Sequence, residues 1–189
     1  MCLFSYEKCT CKSCECISFD CELVFEAIRT LFLGQRDIEM LGGEAGMKRA
    51  LDSLMPKNKM TTTEVDWELT NHPAAAASTD FSTSPIRYIE CNMHLQPGDG
   101  ITITDLNRKL FFRRHLPQNT LIYAGVDPRK KEFVHPEHKL LGISKPRIYG
   151  IIARSNSGDN TCHLFCDLDP SMTAKNVTAF VSSYMISRV

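Results

Sequence analysis

The second half of the chain alternates apolar and polar residues in short runs that are separated by turn residues. The runs are PIRYIECNMHL, ITITDL, LFFRRHL, TLIYAGVD, RIYGIIARS and TCHLFCDL. A period of two places successive side chains on opposite faces of a strand. The breaks between the runs are rich in Gly, Pro and Asn, which favour turns. Six strands at this spacing predict an antiparallel sandwich or barrel.

A further strand and two helices flank these six runs. The segment RTLFLGQRDI, Arg29 to Ile38, has the apolar density of a first strand. After it, apolar residues recur with the spacing of one helix face and stop before Pro56, which cannot continue a helix. The residues of this face are Met47, Ala50, Leu51, Leu54 and Met55. Near the C-terminus, Asp169 is expected to cap a last helix and Pro170 to begin it.

The last predicted helix carries an apolar stripe that must be buried against the open end of a sandwich. The residues of the stripe are Ala174, Val177, Phe180, Val181, Tyr184 and Met185. The order strand, helix, six strands, helix therefore predicts an α+β protein of the pleckstrin-homology superfold. In that fold a seven-stranded antiparallel β-sandwich, or partly open barrel, is capped by a C-terminal α-helix.

The segments outside this pattern are predicted to be a leader and an inserted linker. Residues 57–84 are rich in Thr, Asn, Ser and Ala and are expected to form the linker. Trp67 lies within it and is expected to cover a neighbouring surface, with a partner anchor as the alternative. The domain is thus expected to span residues 29–189, preceded by a Cys-rich leader, residues 1–28, that is expected to be disordered.

Charge and composition argue against several classes of protein. Lys and Arg number 22, as do Asp and Glu, whereas a nucleic-acid binder would carry a basic excess. No run of about 18 apolar residues is present, so a transmembrane segment is not expected. Charged residues stand where a signal peptide needs an apolar region. Six of the nine cysteines lie in the first 21 residues. Because a disulfide framework would spread its cysteines through the fold, we expect a reduced, cytosolic domain.

The leader contains the spacing C-x-C-x-x-C-x-C, formed by Cys9, Cys11, Cys14 and Cys16. Four thiolates at this spacing could surround one zinc or copper(I) ion. Cysteines near a terminus are also substrates for S-acylation. No histidine or second CxxC pair supports a zinc finger, so a disordered leader without a metal is the favoured interpretation.

A basic run in the third of the six strands is the candidate site for an anion. It consists of Arg113, Arg114 and His115. Arginine binds phosphate with a planar, bidentate fork. Adjacent strand residues point in opposite directions, so only one of the two arginines can face a given ligand, and solvated charges are the alternative. Arg87 and Arg154 are weaker candidates.

Catalytic chemistry is not predicted by the sequence. It has no G-x-S-x-G elbow and no phosphate-binding P-loop. Cys162 and His163 are adjacent in a strand, so they point to opposite faces and cannot act as a dyad. His135 and His138 flank Glu137 but lack the spacing of a zinc-binding helix. We therefore expect neither an enzyme nor a cofactor.

Several of these segments resemble one known family. GITITD, RKLFFRRH and CHLFCDLDP are similar to segments of the phosphotyrosine-binding (PTB) domain at the C-terminus of tensins. The resemblance extends from about Thr30 to Val189, interrupted by the long linker. Tensins carry an SH2 domain immediately before this domain, and none precedes it here. A short isoform, a stand-alone adaptor and an incomplete chain are all compatible with this difference.

The resemblance implies how a ligand would bind. PTB domains bind Asn-Pro-x-Tyr (NPxY) peptides, which add as an antiparallel strand to the fifth strand and pack on the C-terminal helix. The fifth strand would be Thr120 to Val126, with Leu121 and Tyr123 on one face and Ile122 and Ala124 on the other. The implied peptide-binding residues are Leu121, Ile122, Tyr123, Ala124, Gly125, Val126, Val177, Phe180 and Tyr184. Gly125 could instead mark a β-bulge.

The function implied by the resemblance is that of a non-catalytic adaptor. It would bind NPxY motifs in the cytoplasmic tails of receptors such as integrin β subunits, at focal adhesions, cell junctions and the cytoskeleton. A phosphate on the tyrosine is not required by the resemblance. The alternative is a phosphoinositide-binding module at the membrane, for which the loop PRKKEFVHPEHK offers four cations. These are Arg129, Lys130, Lys131 and Lys139.

Overall fold

The computed structural model describes residues 27–55, 88–106, 112–131, 133–155 and 158–186. The cysteine-rich leader, apart from its last two residues, lies outside the described residues. The linker, Trp67 and Arg87 also lie outside them, so the expectations for these segments stay predictions. None of the helices in the described ranges has the length and apolar composition needed to cross a bilayer.

Seven strands form one antiparallel sheet that does not close into a barrel. They are β1 (Ile28–Asp37), β2 (Ile89–Gln96), β3 (Gly100–Asp105), β4 (Arg113–Pro117), β5 (Leu121–Val126), β6 (Ile148–Arg154) and β7 (Asn160–Asp167). Their order across the sheet is β4-β3-β2-β1-β7-β6-β5, so β4 and β5 form its two margins. Each predicted strand is found within a few residues of its expected bounds, and the predicted α+β, PH-like fold is confirmed.

In the described ranges three helices accompany the sheet: α1 (Gly43–Leu54), α2 (Pro136–Leu140) and α3 (Ala174–Phe180). A wider π-turn, Val181–Met185, continues α3, and a 3-10 turn, Gln118–Thr120, joins β4 to β5. Helix α2 lies in a segment that was expected to be a loop. The side chain of His135 accepts the Glu137 N–H, and Pro136 supplies a fixed first helical residue.

The last helix begins four residues later than the cap prediction placed it. Thr173 is the N-cap, so the predicted start at Asp169 and Pro170 is wrong. The Asp169 carboxylate instead accepts the N–H groups of Ser171 and Met172 and closes a local turn. The first N–H of α3, that of Ala174, donates to the carboxylate of Asp167 at the end of β7.

The core lies on both faces of the sheet. One apolar cluster packs α3 and its π-turn against residues of β2, β3, β5 and β6. The other packs α1 against β6 and β7, and Met47, Ala50, Leu51 and Met55 of the predicted helix face are buried in it. Gly46 allows α1 to approach closely, because a Cβ there would lie 2.6 Å from Cδ1 of Ile38. Strand β5 is therefore held between a helix on each face.

Candidate functional site

Strand β5 is a margin of the sheet, and within the described ranges it pairs only with β6. Asp127 N–H donates to the Ile148 carbonyl at 2.8 Å, which fixes the hydrogen-bond alternation along this ladder. In an antiparallel ladder every second residue turns both main-chain groups away from its partner. By this register Ala124 and Val126 direct their N–H and C=O groups away from β6. We refer to these four main-chain groups as the docking margin.

A β-bulge near the start of β5 changes which side chains share a face. The pairing register shifts between Leu121 and Tyr123. As a result, Leu121 and Ala124 pack into the cluster on the α3 side, whereas Ile122 and Tyr123 pack against the α1 side. The predicted pairing of faces is wrong, because the inserted residue breaks the strict alternation on which it relied.

Gly125 does not mark the β-bulge of β5. The bulge lies earlier in the strand, and a Cβ at Gly125 would overlap the hydroxyl and ring atoms of Tyr123. The Tyr123 ring therefore lies over Gly125, beside α1. Burial raises the pKa of Tyr123, and the Glu44 carboxylate of α1 raises it further. The missing side chain at position 125 thus leaves room for Tyr123.

Helix α3 and its π-turn form the wall beside the docking margin. Phe180 is 5% exposed and Val177 is fully buried, so the side chain of Val177 presents no surface to a ligand. Tyr184 is 59% exposed, and its ring centroid lies 4.9 Å from that of Phe180. The expectation that Tyr184 belongs to the buried stripe is wrong. The π-turn, closed by Ile186 N–H to the Val181 carbonyl, has a wider helical period than the predicted stripe assumed.

One side chain of this wall touches the docking margin directly. The Ser182 hydroxyl donates to the Ala124 carbonyl at an oxygen–oxygen distance of 3.3 Å. No sequence signal predicted this contact, because serine in a helix is common and the direction of its side chain here depends on the π-turn.

The basic run lies on β4, at the opposite margin of the sheet from β5. Arg113 and His115 are exposed, and Arg114 is half-buried, as expected for alternating strand residues. The Arg114 guanidinium lies 5.4 Å from the ring centroid of Phe112, and its buried Nε atom has no hydrogen-bond partner among the residues that the structure describes. The His115 ring is 3.0 Å from the Thr102 hydroxyl. The three residues therefore do not form one cationic site.

Arg114 acts electrostatically on a buried histidine of β7. His163 is 4% exposed, and burial together with the Arg114 cation lowers its pKa to about 4. The imidazole is therefore neutral at neutral pH, and its buried Nδ1 has no hydrogen-bond partner in the described part of the chain. Its neighbour Cys162 packs on the opposite face, in the α1-side cluster, where burial raises its pKa to about 12.

The loop considered for phosphoinositides is tied to α1 by ion pairs. An Arg129 Nη1 atom lies 2.5 Å from an Asp52 carboxylate oxygen, and Lys131 Nζ lies 3.7 Å from the same oxygen. The hydrogen bond from Arg129 is the main cause of the lowered pKa of Asp52. The Asp127 carboxylate accepts the main-chain N–H groups of Arg129 and Lys131. Lys130 and Lys139 are exposed and form no ion pair with any of the residues that the structure describes.

A polar network that the sequence did not reveal connects α2 to the start of α3. His135 N–H donates to Nδ1 of His138, and His138 Nε2 donates to the Asp167 carbonyl at 2.7 Å. Burial lowers the pKa of His138, so its ring serves the fold as a neutral hydrogen-bonding group. Burial raises the pKa of Asp167 to about 6, and its carboxylate also accepts from Arg147 N–H. The described residues contain no group of three or more His, Cys, Asp or Glu side chains placed to hold a metal ion.

Comparison with known proteins gives consistent matches. A family model described as the phosphotyrosine-binding domain matches residues 58–189. Tensin-1 of Mus musculus is 35% identical over 135 residues, which are 69% of this chain and 7% of that relative. Tensin-2 of Mus musculus is 32% identical over 132 residues, which are 67% of this chain and 9% of that relative. Tensin-4 of Mus musculus is 28% identical over 169 residues, which are 87% of this chain and 19% of that relative. The chain therefore spans less than a fifth of each of these relatives.

Proposed function

The chain belongs to the phosphotyrosine-binding domain family, in its tensin type, and we propose that it acts as a non-catalytic adaptor for NPxY motifs. Domains of this family are protein-interaction modules. The bound segment would be the cytoplasmic tail of a receptor such as an integrin β subunit. The adaptor would then work in the cytoplasm, at focal adhesions and cell junctions that connect to the cytoskeleton.

The observation that carries this proposal is the docking margin of β5. Its N–H and C=O groups point away from β6, and the exposed Tyr184 of the helical wall stands beside the same strand. A sheet margin whose main-chain groups are not paired with another strand in the described ranges favours the addition of a further strand. Ala124 and Val126 would provide the main-chain hydrogen bonds. The aromatic wall would provide side-chain contacts.

The polarity of strand addition determines where the tyrosine of the motif would lie. A ligand antiparallel to β5 runs from the Val126 end toward the Leu121 end. The NPxY motif, at the C-terminal part of the bound segment, would therefore lie near the start of β5. The exposed Arg154 follows Ala153, which pairs with Leu121, so it is the cation closest in register to this end. We propose Arg154 rather than the β4 run as the contact for a tyrosine phosphate. Because Arg154 is solvated, we expect phosphorylation to change affinity only modestly.

The phosphoinositide function has weaker support. Arg129 and Lys131, two of its four expected cations, are used to hold the loop to Asp52 of α1. A lipid headgroup would have to compete with that carboxylate for both of them.

A calorimetric titration tests the adaptor proposal. The domain is titrated with an NPxY peptide, its tyrosine-phosphorylated form, and soluble inositol phosphates. Ala124→Pro removes an N–H of the docking margin without removing a bond to β6, so we expect it to weaken peptide binding by at least about 5- to 10-fold. His115→Pro is the matched control, because it places proline at an outward position of the other margin, β4, where Pro117 already stands. Unchanged peptide affinity of a folded Ala124→Pro variant would show that the ligand docks elsewhere.

A further inference from the structure

The Ser182 hydroxyl already satisfies one acceptor of the docking margin. It donates to the Ala124 carbonyl at 3.3 Å, and that carbonyl faces away from β6. The chain therefore supplies from its own helical wall a hydrogen bond that strand addition would otherwise have to supply from the ligand.

The π-turn holds this hydroxyl in place. Val181 and Met185, which begin and end the turn, are fully buried, and Ile186 N–H closes it on the Val181 carbonyl at 3.0 Å. Ser182 is half-buried beside β5, whereas the next residue, Ser183, is exposed. The direction of Ser182 toward the margin is thus set by the packing of its neighbours, and it does not depend on a bound ligand.

Val126, the other residue of the docking margin, has no such donor. No side chain in the described part of the chain donates to its carbonyl. A ligand that covers β5 would leave the Val126 carbonyl without a partner unless the ligand itself provides an N–H. The two carbonyls of the margin face the same way in the ladder, but they therefore differ in whether a side chain of the described residues donates a hydrogen bond to them.

We propose that Ser182 makes the domain tolerant of a ligand residue without an N–H, such as proline, at the position opposite Ala124. This inference rests on the proposed strand addition. Losing a hydrogen-bond donor is costly mainly because the buried acceptor is left unsatisfied. Ser182 removes that penalty at Ala124. A carbonyl oxygen has two lone pairs, so an ordinary ligand N–H can still bind beside the hydroxyl.

The proposal has a definite signature along the ligand. In antiparallel pairing, the ligand residue opposite Val126 precedes the residue opposite Ala124 by two positions. A donor is required at the first of these positions and is dispensable at the second. The tolerance therefore selects sequences by backbone chemistry, independently of which side chains they carry.

An amide-to-ester scan of an unphosphorylated NPxY peptide tests this. An ester removes one N–H and adds no bulk, and the scan covers the residues before the Asn-Pro pair. In the unmodified domain we expect an ester at the ligand residue opposite Val126 to lower the affinity of the peptide about 5- to 10-fold, which is the usual effect of losing one neutral hydrogen bond. An ester two residues later, at the ligand residue opposite Ala124, should lower the affinity by less than about twofold. In Ser182→Ala both positions should lose about 5- to 10-fold.

Two further variants control for indirect effects. Ser183→Ala removes a hydroxyl from the neighbouring exposed position and should reproduce the unmodified domain. Ser182→Thr keeps the donor and should retain the tolerance. Equal losses at both positions in the unmodified domain, or an unchanged pattern in Ser182→Ala, would overturn the role of Ser182 while leaving strand addition intact. Failure of the unmodified peptide to bind would overturn strand addition and this inference together.

Discussion

The burial of His163 in β7 predicts how the free energy of unfolding of the domain changes at acidic pH. His163 has a pKa of about 4 in the folded state, against 6.5 for an ordinary histidine. The cause is burial, with the Arg114 cation acting in the same direction. Because the folded pKa is lower, protons bind to the unfolded chain first. The stability contributed by neutral His163 is therefore complete above pH 6.5 and is lost as the pH falls toward 4.

The size of this loss follows from the difference between the two pKa values. One pKa unit corresponds to about 1.4 kcal/mol, so a fall from 6.5 to about 4 corresponds to roughly 3 kcal/mol. That amount is a large fraction of the stability of a domain of this size, which is typically about 5–15 kcal/mol. The figure applies to a group that is 4% exposed, so solvent screening reduces it little.

A second buried group opposes this trend in almost the same pH range. Burial raises the pKa of Asp167 to about 6 from 3.8, so the folded state binds this proton more readily than the unfolded chain. The stability that Asp167 contributes is present below pH 3.8 and is lost as the pH rises through 6. The two effects partly cancel in the unmodified domain, which would conceal both in a simple acid-denaturation curve.

The assay therefore compares the unmodified domain with His163→Gln at each pH. Urea unfolding at pH 7.5, 6.5, 5.5 and 4.5 gives the difference in the free energy of unfolding between the two proteins. We expect that difference to shrink by up to about 3 kcal/mol between the highest and lowest pH. The contribution of Asp167 is common to both proteins and cancels. A difference that stays constant with pH would refute the assignment of a neutral, proton-excluding His163.

Three further predictions concern the site itself. Gly125→Ala should destabilise the domain by about 1–3 kcal/mol, because the new methyl group overlaps Tyr123, and Tyr123→Leu in the same chain should restore most of that loss in urea unfolding. Tyr184→Ala should weaken NPxY peptide binding while leaving the melting temperature unchanged, whereas Phe180→Ala should lower the free energy of unfolding by about 3–5 kcal/mol. An equal fall in melting temperature in the two variants would contradict the exposure assigned to Tyr184. Arg129→Met should lower stability by less than about 1 kcal/mol, because its ion pair is partly solvated, and should leave inositol phosphate binding unchanged in a calorimetric titration.

The sequence predicted the sheet well because its strands keep a period of two over most of their length. Val177, Val181 and Met185 were correctly expected to face the core, since their spacing is that of a helix over the first turns. The limits of such patterns appear where a period changes. Because β5 contains one extra residue before Tyr123, the residues before it face the opposite side of the sheet from the one that strict alternation predicts. No residue type near this position indicates a bulge. The π-turn likewise moved Tyr184 into solvent.

The site was predicted in outline, and its decisive contacts were not. The sequence located β5 and the last helix through their resemblance to a known family. The Ser182 contact with Ala124 depends on the angle between a helix turn and a strand margin, which is a tertiary property. The same reason explains why Arg114 and His163 were not connected. They lie on strands separated in the sheet by β3, β2 and β1, so the electrostatic effect of Arg114 on His163 is not visible from the order of the strands.

The central position of β1 has a consequence for how the chain folds. Thr30 of β1 pairs with Asp167 of β7, and the family model that matches residues 58–189 begins after β1 and α1. The middle of the sheet is therefore assembled from strands that lie far apart in the chain. Such long-range closure slows folding, and during synthesis β1 can pair with β7 only after the ribosome has synthesised the chain as far as Asp167.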